Sequence, residues 1–566
     1  MNIPRPEYPR PQLRRRRWRN LNGEWEFGAG ERPVFDSRIL VPFAPQSELS
    51  GVGLRDPGDV LWYRRRFDRP PGDRLLLHFG AVDYRAAVWV NGEEVARHEG
   101  GHTPFSADVT DAIRARGNEL LVRAEDQLAD LTIPRGKQYW KPASERIFYT
   151  PTSGIWQTVW LEPLPARHLV SIRLRPDLNA GALGFEVEGD GSVELVATLR
   201  GAAAGRWSGP AGGGRMELYP VAPWSPEAPN LYSLAVRLLD GERELDRVST
   251  HFGLRTVEMR GGLFLLNGEP YVQRLVLDQG YFPGGLLTAP ADADLARDIR
   301  LAKQLGFNGA RKHQKVEDPR WLHWADRLGF LVWSEMPNAH AHSDDAERRT
   351  LAEWGDAVRR DRDHPSVVAW VPMNESFGLG GVDVSVQARF VEALHDLTRR
   401  LDPTRPAVSN DGWEHANTDL LTFHDYAPAA ELAARYLSLE SALAPAGRPH
   451  PPYLPGFGHH GQPVIVSEFG GATLTGDDTW GYGQVDGAGG LLEAYGEQVR
   501  ALMGPGPVEG FCYTQLTDVE QERNGLLTFD RRPKASPPLL RKATLTPKQR
   551  QGPMCACHEK TGARTG

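Results

Sequence analysis

The chain has 566 residues, 40% hydrophobic and 25% charged, the make-up of an ordinary globular protein of several domains. Lys plus Arg number 66 and Asp plus Glu 73, for a net charge of −7, which speaks against nucleic acid because polyanion binders carry the opposite sign. No run approaches the ~20 consecutive apolar residues of a membrane span, and three cysteines, Cys512, Cys555 and Cys557, are too few for a disulfide framework.

So few cysteines fit a reducing compartment. The run Arg14-Arg15-Arg16-Arg17 is followed by the polar stretch 19–26 and not by the apolar stretch of a secretory signal. The arginines read as a solvated chain start, and the protein as cytoplasmic.

Residues 1–165 read as all-β. Short alternating runs recur at 60–67, 74–79, 85–90, 120–124 and 156–161, and Val90-Asn91-Gly92-Glu93 carries the Asn-Gly signal of a tight hairpin. Strands without intervening helices predict a jelly roll. Residues 166–258 repeat this on a smaller scale, with strands expected at 168–174, 192–199, 215–219 and 231–239 and a loop over the Gly-rich stretch 201–214. That spacing predicts an immunoglobulin-like β-sandwich.

From 259 to 534 apolar runs alternate with helical patterns. Eight strands are predicted, at 271–277, 309–313, 330–335, 367–374, 407–410, 420–424, 463–468 and 510–514, with helices such as 293–305 and 386–401 between them. This is the pattern of a (β/α)8 TIM barrel, although the gap between the fifth and sixth strands leaves little room for a helix. Residues 535–566 are polar, basic and punctuated by Pro537, Pro538 and Pro547, and are expected to form a disordered or atypical tail.

Barrel chemistry sits at the C-terminal strand ends. There Val371-Pro372-Met373-Asn374-Glu375-Ser376 and Val464-Ile465-Val466-Ser467-Glu468-Phe469 each place a carboxylate directly after an apolar run. A charge at such a place is costly unless hydrogen bonds or partners offset its desolvation. The two Glu lie about three barrel units apart at roughly 30–35 residues per unit, so both can face one pocket. Glycoside hydrolysis requires such a pair. The other ends supply polar and aromatic groups for a sugar: Arg311 and His313, Trp413, His424 with Tyr426, and Tyr513. No H-x-H or H-E-x-x-H pattern opens the barrel, and His340-Ala341-His342 falls in the loop after the third strand. No metal site and no cofactor are therefore predicted.

The stretches 305–313, 324–330, His364-Pro365-Ser366-Val367 leading into Asn374-Glu375-Ser376, and Ser467-Glu468-Phe469-Gly470 resemble glycoside hydrolase family 2, the family of β-galactosidases, β-glucuronidases and β-mannosidases. Upstream, 224–227 through 252–255 is similar to the end of its immunoglobulin-like domain, and Val90-Asn91-Gly92 with Gly154-Ile155-Trp156 to its sugar-binding jelly roll. The resemblance covers residues 10–534. It implies a retaining exo-β-glycosidase with Glu375 as general acid/base, Glu468 as nucleophile and Asn374 on the sugar 2-hydroxyl. It matches His313 to the family's second-strand His and gives Arg311 the task of orienting Glu468. Tyr513 stands where relatives often have Trp, as a glycone platform.

The family's glucuronidases carry Asn-x-Lys after the eighth strand, whereas this chain reads Glu522-Arg523-Asn524-Gly525. A neutral glycone, most simply a β-galactoside, is the resulting expectation. The alternatives are a β-glucuronidase or β-mannosidase of the same family, or an inactive carbohydrate-binding homologue. A carbohydrate is the expected partner, and homo-oligomerisation is left open.

Overall fold

The computed structural model describes residues 3–444, 449–476 and 479–550. It has an N-terminal jelly roll, an immunoglobulin-like sandwich and a C-terminal TIM barrel. In the jelly roll a six-stranded antiparallel sheet runs in the order Ser37–Val41, Gly23–Ala29, Val60–Phe67, Asn118–Glu125, Arg85–Val90, Glu93–Glu99. Leu120, Val122 and Ala124 alternate inward along Asn118–Glu125, so one face of the sheet is buried. That face packs on a four-stranded sheet containing Arg74–Phe79 and Val159–Leu164, around Trp25, Tyr63, Leu77 and Leu161. Asn91 and Gly92 adopt positive φ and turn the hairpin between Arg85–Val90 and Glu93–Glu99.

The Gly-rich stretch expected to be a loop is instead the strand Ala202–Glu217, paired along most of its length with Ala182–Leu199. Its glycines leave room for rings: a Cβ at Gly214 would collide with Phe185, and one at Gly209 would crowd Trp207. Composition suggested a turn, and packing against a neighbouring aromatic decides otherwise. The arginine run is not simply solvated either. Arg15 is buried and ion-paired with Glu162 at 2.9 Å and Asp246 at 3.0 Å, tying the first two domains together.

Seven parallel barrel strands are in hydrogen-bonded order: Val367–Val371, Leu331–Glu335, Gly309–Lys312, Gln273–Asp278, Val508–Thr514, Val464–Gly470, Leu421–His424. The first and last strands of the barrel, Gln273–Asp278 and Val508–Thr514, are thus neighbours. The remaining gap is filled by 407–411, an extended segment and not a regular strand, held by bridges from Trp370 to Ala407 and from Asn374 to Asp411. On its other side threonine side chains replace ladder bonds, as in Gly412 N–H to Thr422 Oγ1 at 2.9 Å. Only nine residues separate this segment from the next strand, so no helix intervenes. Leu275, Leu331, Trp333, Ile465 and Cys512 fill the barrel interior.

Two features shape the ends of the barrel. Over its C-terminal mouth lies the jelly-roll segment 126–153, where Gly136 N–H bonds the Asn338 carbonyl at 3.0 Å. Gly136 has φ +61°, and a Cβ there would collide with the Gln314 carbonyl oxygen, so the close approach requires glycine. At the side, the stretch expected to be a disordered or atypical tail holds a helix, Pro537–Thr544. It packs between the helices Asp292–Gln304 and Gly487–Leu502, burying Leu540 and joining the Thr544 hydroxyl to that of Tyr495 at 2.7 Å. Proline suits the first turn of a helix, so Pro537 and Pro538 start this one and do not forbid it. Cys555, Cys557 and His558 lie outside the described residues. Among those described, no helix is long and apolar enough to cross a membrane.

Candidate active site

Arg311 stands fully buried at the end of Gly309–Lys312 and organises the mouth. Its Nε donates to Glu335 Oε2 at 2.6 Å, and its Nη2 to Asn374 Oδ1 at 2.6 Å and to His313 Nδ1 at 2.9 Å. Its Nη1 lies 2.7 Å from Asp411 Oδ2 and 2.9 Å from Glu468 Oε1. Burial works against the guanidinium charge, but Asp411, Glu335 and Glu468 outweigh it and hold the group charged. One cation thus supports carboxylates from three other parts of the barrel.

Glu375 and Glu468 face the same space. A carboxylate oxygen of each, together with a ring nitrogen of His424, lies within 4.8 Å of the other two. His424 Nδ1 is 2.6 Å from Glu375 Oε1, and its Nε2 is 3.0 Å from Asp411 Oδ2 and 3.4 Å from Glu468 Oε1. Burial would discharge this imidazole, but Glu468, Glu375 and Asp411 reverse that and push it up to about 10. Burial raises the Glu375 carboxyl, yet the His424 charge and hydrogen bond outweigh it and bring the group below its ordinary value. His313 goes the other way: burial and the Arg311 charge hold it neutral.

Glu375 and Ser376 sit in the left-handed region, at φ +51° and +48°. Such conformations cost on the order of 1–3 kcal/mol each and persist where the surroundings over-determine them. Here Glu375 N–H bonds the Asp411 carbonyl at 3.0 Å and Ser376 N–H bonds Asn410 Oδ1 at 2.9 Å. The irregular segment 407–411 therefore aims Glu375.

Several polar atoms at the centre are unsatisfied among the described residues, Asp411 Oδ1 among them. Asn374 Nδ2 is buried without an acceptor, and Glu468 Oε1 meets Arg311 by charge without a well-aligned hydrogen bond. Buried polar groups normally find partners. The other Glu468 oxygen accepts the Tyr426 hydroxyl, and the Tyr426 ring stacks on Tyr482 with centroids 3.4 Å apart.

Of the residues singled out from sequence, Glu375, Glu468, Asn374, Arg311, His313, His424 and Tyr426 converge here. Trp413 does not join them: it stacks on His450 at 3.7 Å, beyond the strand end. Tyr513 is a correction. It points outward into the strand–helix core between Phe469 and Tyr495. Adjacent strand residues face opposite sides, and it is Thr514 whose hydroxyl lies 3.5 Å from that of Tyr426.

Lys137, Tyr149 and Glu522 were not singled out as site residues. Lys137 is 7% exposed. Its ammonium faces the rings of Phe377 and Phe148 at 5.4 and 5.8 Å and makes no hydrogen bond or ion pair to any described residue. Glu522 is buried, accepts from the Tyr149 hydroxyl and from Asn524 Nδ2 at 2.9 Å, and is pushed up by burial despite the Lys137 charge. The one available signal was a stretch of more than twenty residues, 126–153, without strand alternation, and long structured loops tend to be functional. His340 and His342 do not form a site: the first bonds the Gly136 carbonyl at 2.8 Å and the second Glu347 at 2.8 Å. Among the described residues, two three-residue groups have metal-ligand spacing: Glu375, His424 and Glu468, and, at the barrel's junction with the sandwich, His251, Asp326 and His364. In both groups hydrogen bonds already join the members.

A TIM barrel with paired glutamates at its mouth, covered by a jelly roll, defines a glycoside hydrolase. Three family models match in chain order: the galactose-binding domain-like domain of glycosyl hydrolase 2 at residues 57–145, glycosyl hydrolases family 2 at 184–255, and the family 2 TIM barrel domain at 257–482. The chain belongs to glycosyl hydrolase family 2. It is 29% identical to a β-glucuronidase of Paenibacillus borealis over 69% of this chain and 72% of that one. To a β-glucuronidase of Canis lupus familiaris it is 27% identical, over 94% and 91%. A β-galactosidase of Thermoanaerobacter pseudethanolicus is 28% identical over 61% of this chain and 48% of its own. The crystal structure of Ruminococcus gnavus β-glucuronidase shares the fold, with a TM-score of 0.78 over 96% of this chain and 100% of that one at 19% identity.

Proposed function

We propose that the chain is a retaining exo-β-glycosidase in which Glu468 is the nucleophile and Glu375 the general acid/base. The observation that carries this reading is the pair of carboxylate oxygens within 4.8 Å of each other. Retaining enzymes hold the two carboxyl groups roughly 5 Å apart, whereas inverting ones leave roughly 6.5–9.5 Å for a water. The roles follow from the surroundings. Glu468 is pinned by Arg311 and Tyr426 and its side chain is 5% exposed, as suits an anion that must attack one fixed atom. Glu375 is 16% exposed, as suits a group that meets first the leaving oxygen and then a water.

In the first step Glu468 attacks the anomeric carbon and the bond to the leaving oxygen breaks, while Glu375 delivers a proton to that oxygen. In the second, Glu375 takes a proton from water, and the hydroxide oxygen displaces Glu468. The proton is stored on the His424–Glu375 pair: His424 holds it in the free enzyme and passes it through the 2.6 Å hydrogen bond as the leaving oxygen becomes basic. The unsatisfied Asn374 Nδ2 takes the glycone 2-hydroxyl.

The glycone reading is a neutral β-hexoside of the β-galactoside type. Arg523 is exposed, and buried Glu522 and Glu468 would repel a second carboxylate. An acidic glycone, a β-glucuronide, is the second reading, favoured by the buried Lys137 ammonium without an ion-pair partner and by the names of several relatives. A panel of 4-nitrophenyl β-galactoside, β-glucuronide and β-mannoside tests both: highest kcat/KM on the galactoside supports the first, and on the glucuronide the second.

A further inference from the structure

Between the jelly-roll segment and the barrel lies a cavity of about 330 Å3, walled by Tyr139, Trp140, Ile147, Phe148 and Trp480 together with Glu145 and Arg146. That volume sits at the lower end for small-molecule sites. Ring contacts lead from its walls toward both carboxylates. On one side Trp140 packs on His340 at 4.7 Å, His340 on Phe377 at 5.7 Å, and Phe377 follows Glu375 by two residues. On the other, Trp480 packs on Tyr482 at 4.8 Å, Tyr482 stacks on Tyr426, and Tyr426 bonds Glu468. Ring contacts thus connect the cavity to Phe377, near Glu375 in the chain, and to Tyr426, the hydrogen-bond partner of Glu468.

Most of the lining is aromatic or aliphatic, and its charged members, Glu145 and Arg146, are exposed. The Tyr139 hydroxyl is already committed to Glu145 at 2.6 Å. A second sugar would ask for several hydrogen bonds, whereas a flat apolar ring asks for faces to stack on. We infer that this cavity is the aglycone subsite and that it takes aryl aglycones, making the protein selective for aryl β-glycosides over alkyl glycosides and disaccharides. This deepens the glycosidase reading above and rests on it.

The test compares 4-nitrophenyl β-glycosides with β-glycosyl fluorides of the same glycone, whose leaving atom is too small to reach the cavity. Trp140→Ala and Trp480→Ala should each lower kcat/KM on the aryl substrate by roughly fivefold while leaving the fluoride within about twofold. An equal loss on both substrates, no loss on either, or a larger loss on a disaccharide overturns the inference. Binding of phenyl and methyl 1-thio-β-glycosides, followed by tryptophan fluorescence, keeps the subsite separate from the chemistry. Tighter phenyl binding that weakens in both variants supports the subsite even if no glycoside is hydrolysed, in which case only the catalytic reading fails. Equal phenyl and methyl affinity overturns the subsite even in an active enzyme.

Discussion

Glu375 and Glu468 approach to within 4.8 Å, carboxylate oxygen to carboxylate oxygen, with the His424 ring against both. Two buried carboxylates at that distance cannot both stay ionised without a cation. Arg311 serves Glu468, and His424 serves chiefly Glu375.

The two glutamates should fail differently. Glu468→Ala loses the covalent step, and azide should restore turnover with an inverted glycosyl azide as product. Glu375→Ala should lose about 10²–10⁴-fold on unactivated leaving groups and far less on dinitrophenyl glycosides, which need little proton donation. Azide there should give the retained glycosyl azide. Product analysis by NMR checks both, and exchanged behaviours would reverse the roles.

His424 sets the alkaline limb. If the proton lives on the His424–Glu375 pair, kcat/KM should hold until the pH nears 10. His424→Asn removes the cation, the Glu375 carboxyl reports its own titration, and the limb should move down by roughly two units or more. The same raised value makes His424 a stabilising group below its ordinary ~6.5, a contribution lost as pH rises through about 10. A limb that stays in place in the variant would remove His424 from the proton path.

Lys137 separates the glycones. Lys137→Met keeps the length of the side chain and removes the charge. On the neutral-glycone reading it should change kcat/KM on the galactoside by less than about tenfold, the span of an ordinary hydrogen bond of ~0.5–1.5 kcal/mol. On the acidic-glycone reading the glucuronide should lose ~10-fold to ~150-fold, as for a charged hydrogen bond of about 1.5–3 kcal/mol.

The end of the chain supports the barrel and not the chemistry. Cutting after Lys534 removes the helix Pro537–Thr544 and the buried Leu540, a loss on the order of 2–5 kcal/mol, and should lower Tm while leaving low-temperature kcat intact. Cutting after Gln549 removes only the half-exposed Arg550–Glu509 pair among the described contacts, which contributes about 0–1 kcal/mol. Calorimetry of the two truncations checks this.

The sequence exposed what periodicity and strand-end chemistry encode: seven of the eight barrel strands, both glutamates, and the Arg311–His313 end. It misled where a neighbour decides. Ala202–Glu217 is a strand because rings cover its glycines, and Tyr513 faces outward because it alternates with Cys512 in the barrel interior and Thr514 at the site. The short gap before the sixth strand announced the missing helix but not the irregularity of 407–411, which is what aims Glu375. Lys137, Tyr149 and Glu522 were hidden because they meet only when one domain lies across another, and no spacing within a single stretch records that.

The most direct measurement is trapping with a 2-deoxy-2-fluoro β-glycoside bearing a good leaving group, followed by peptide mass spectrometry. Double displacement predicts time-dependent inactivation and one fluoroglycosyl adduct, on Glu468. An adduct on Glu375, or rapid hydrolysis with inversion and no adduct, would contradict the account.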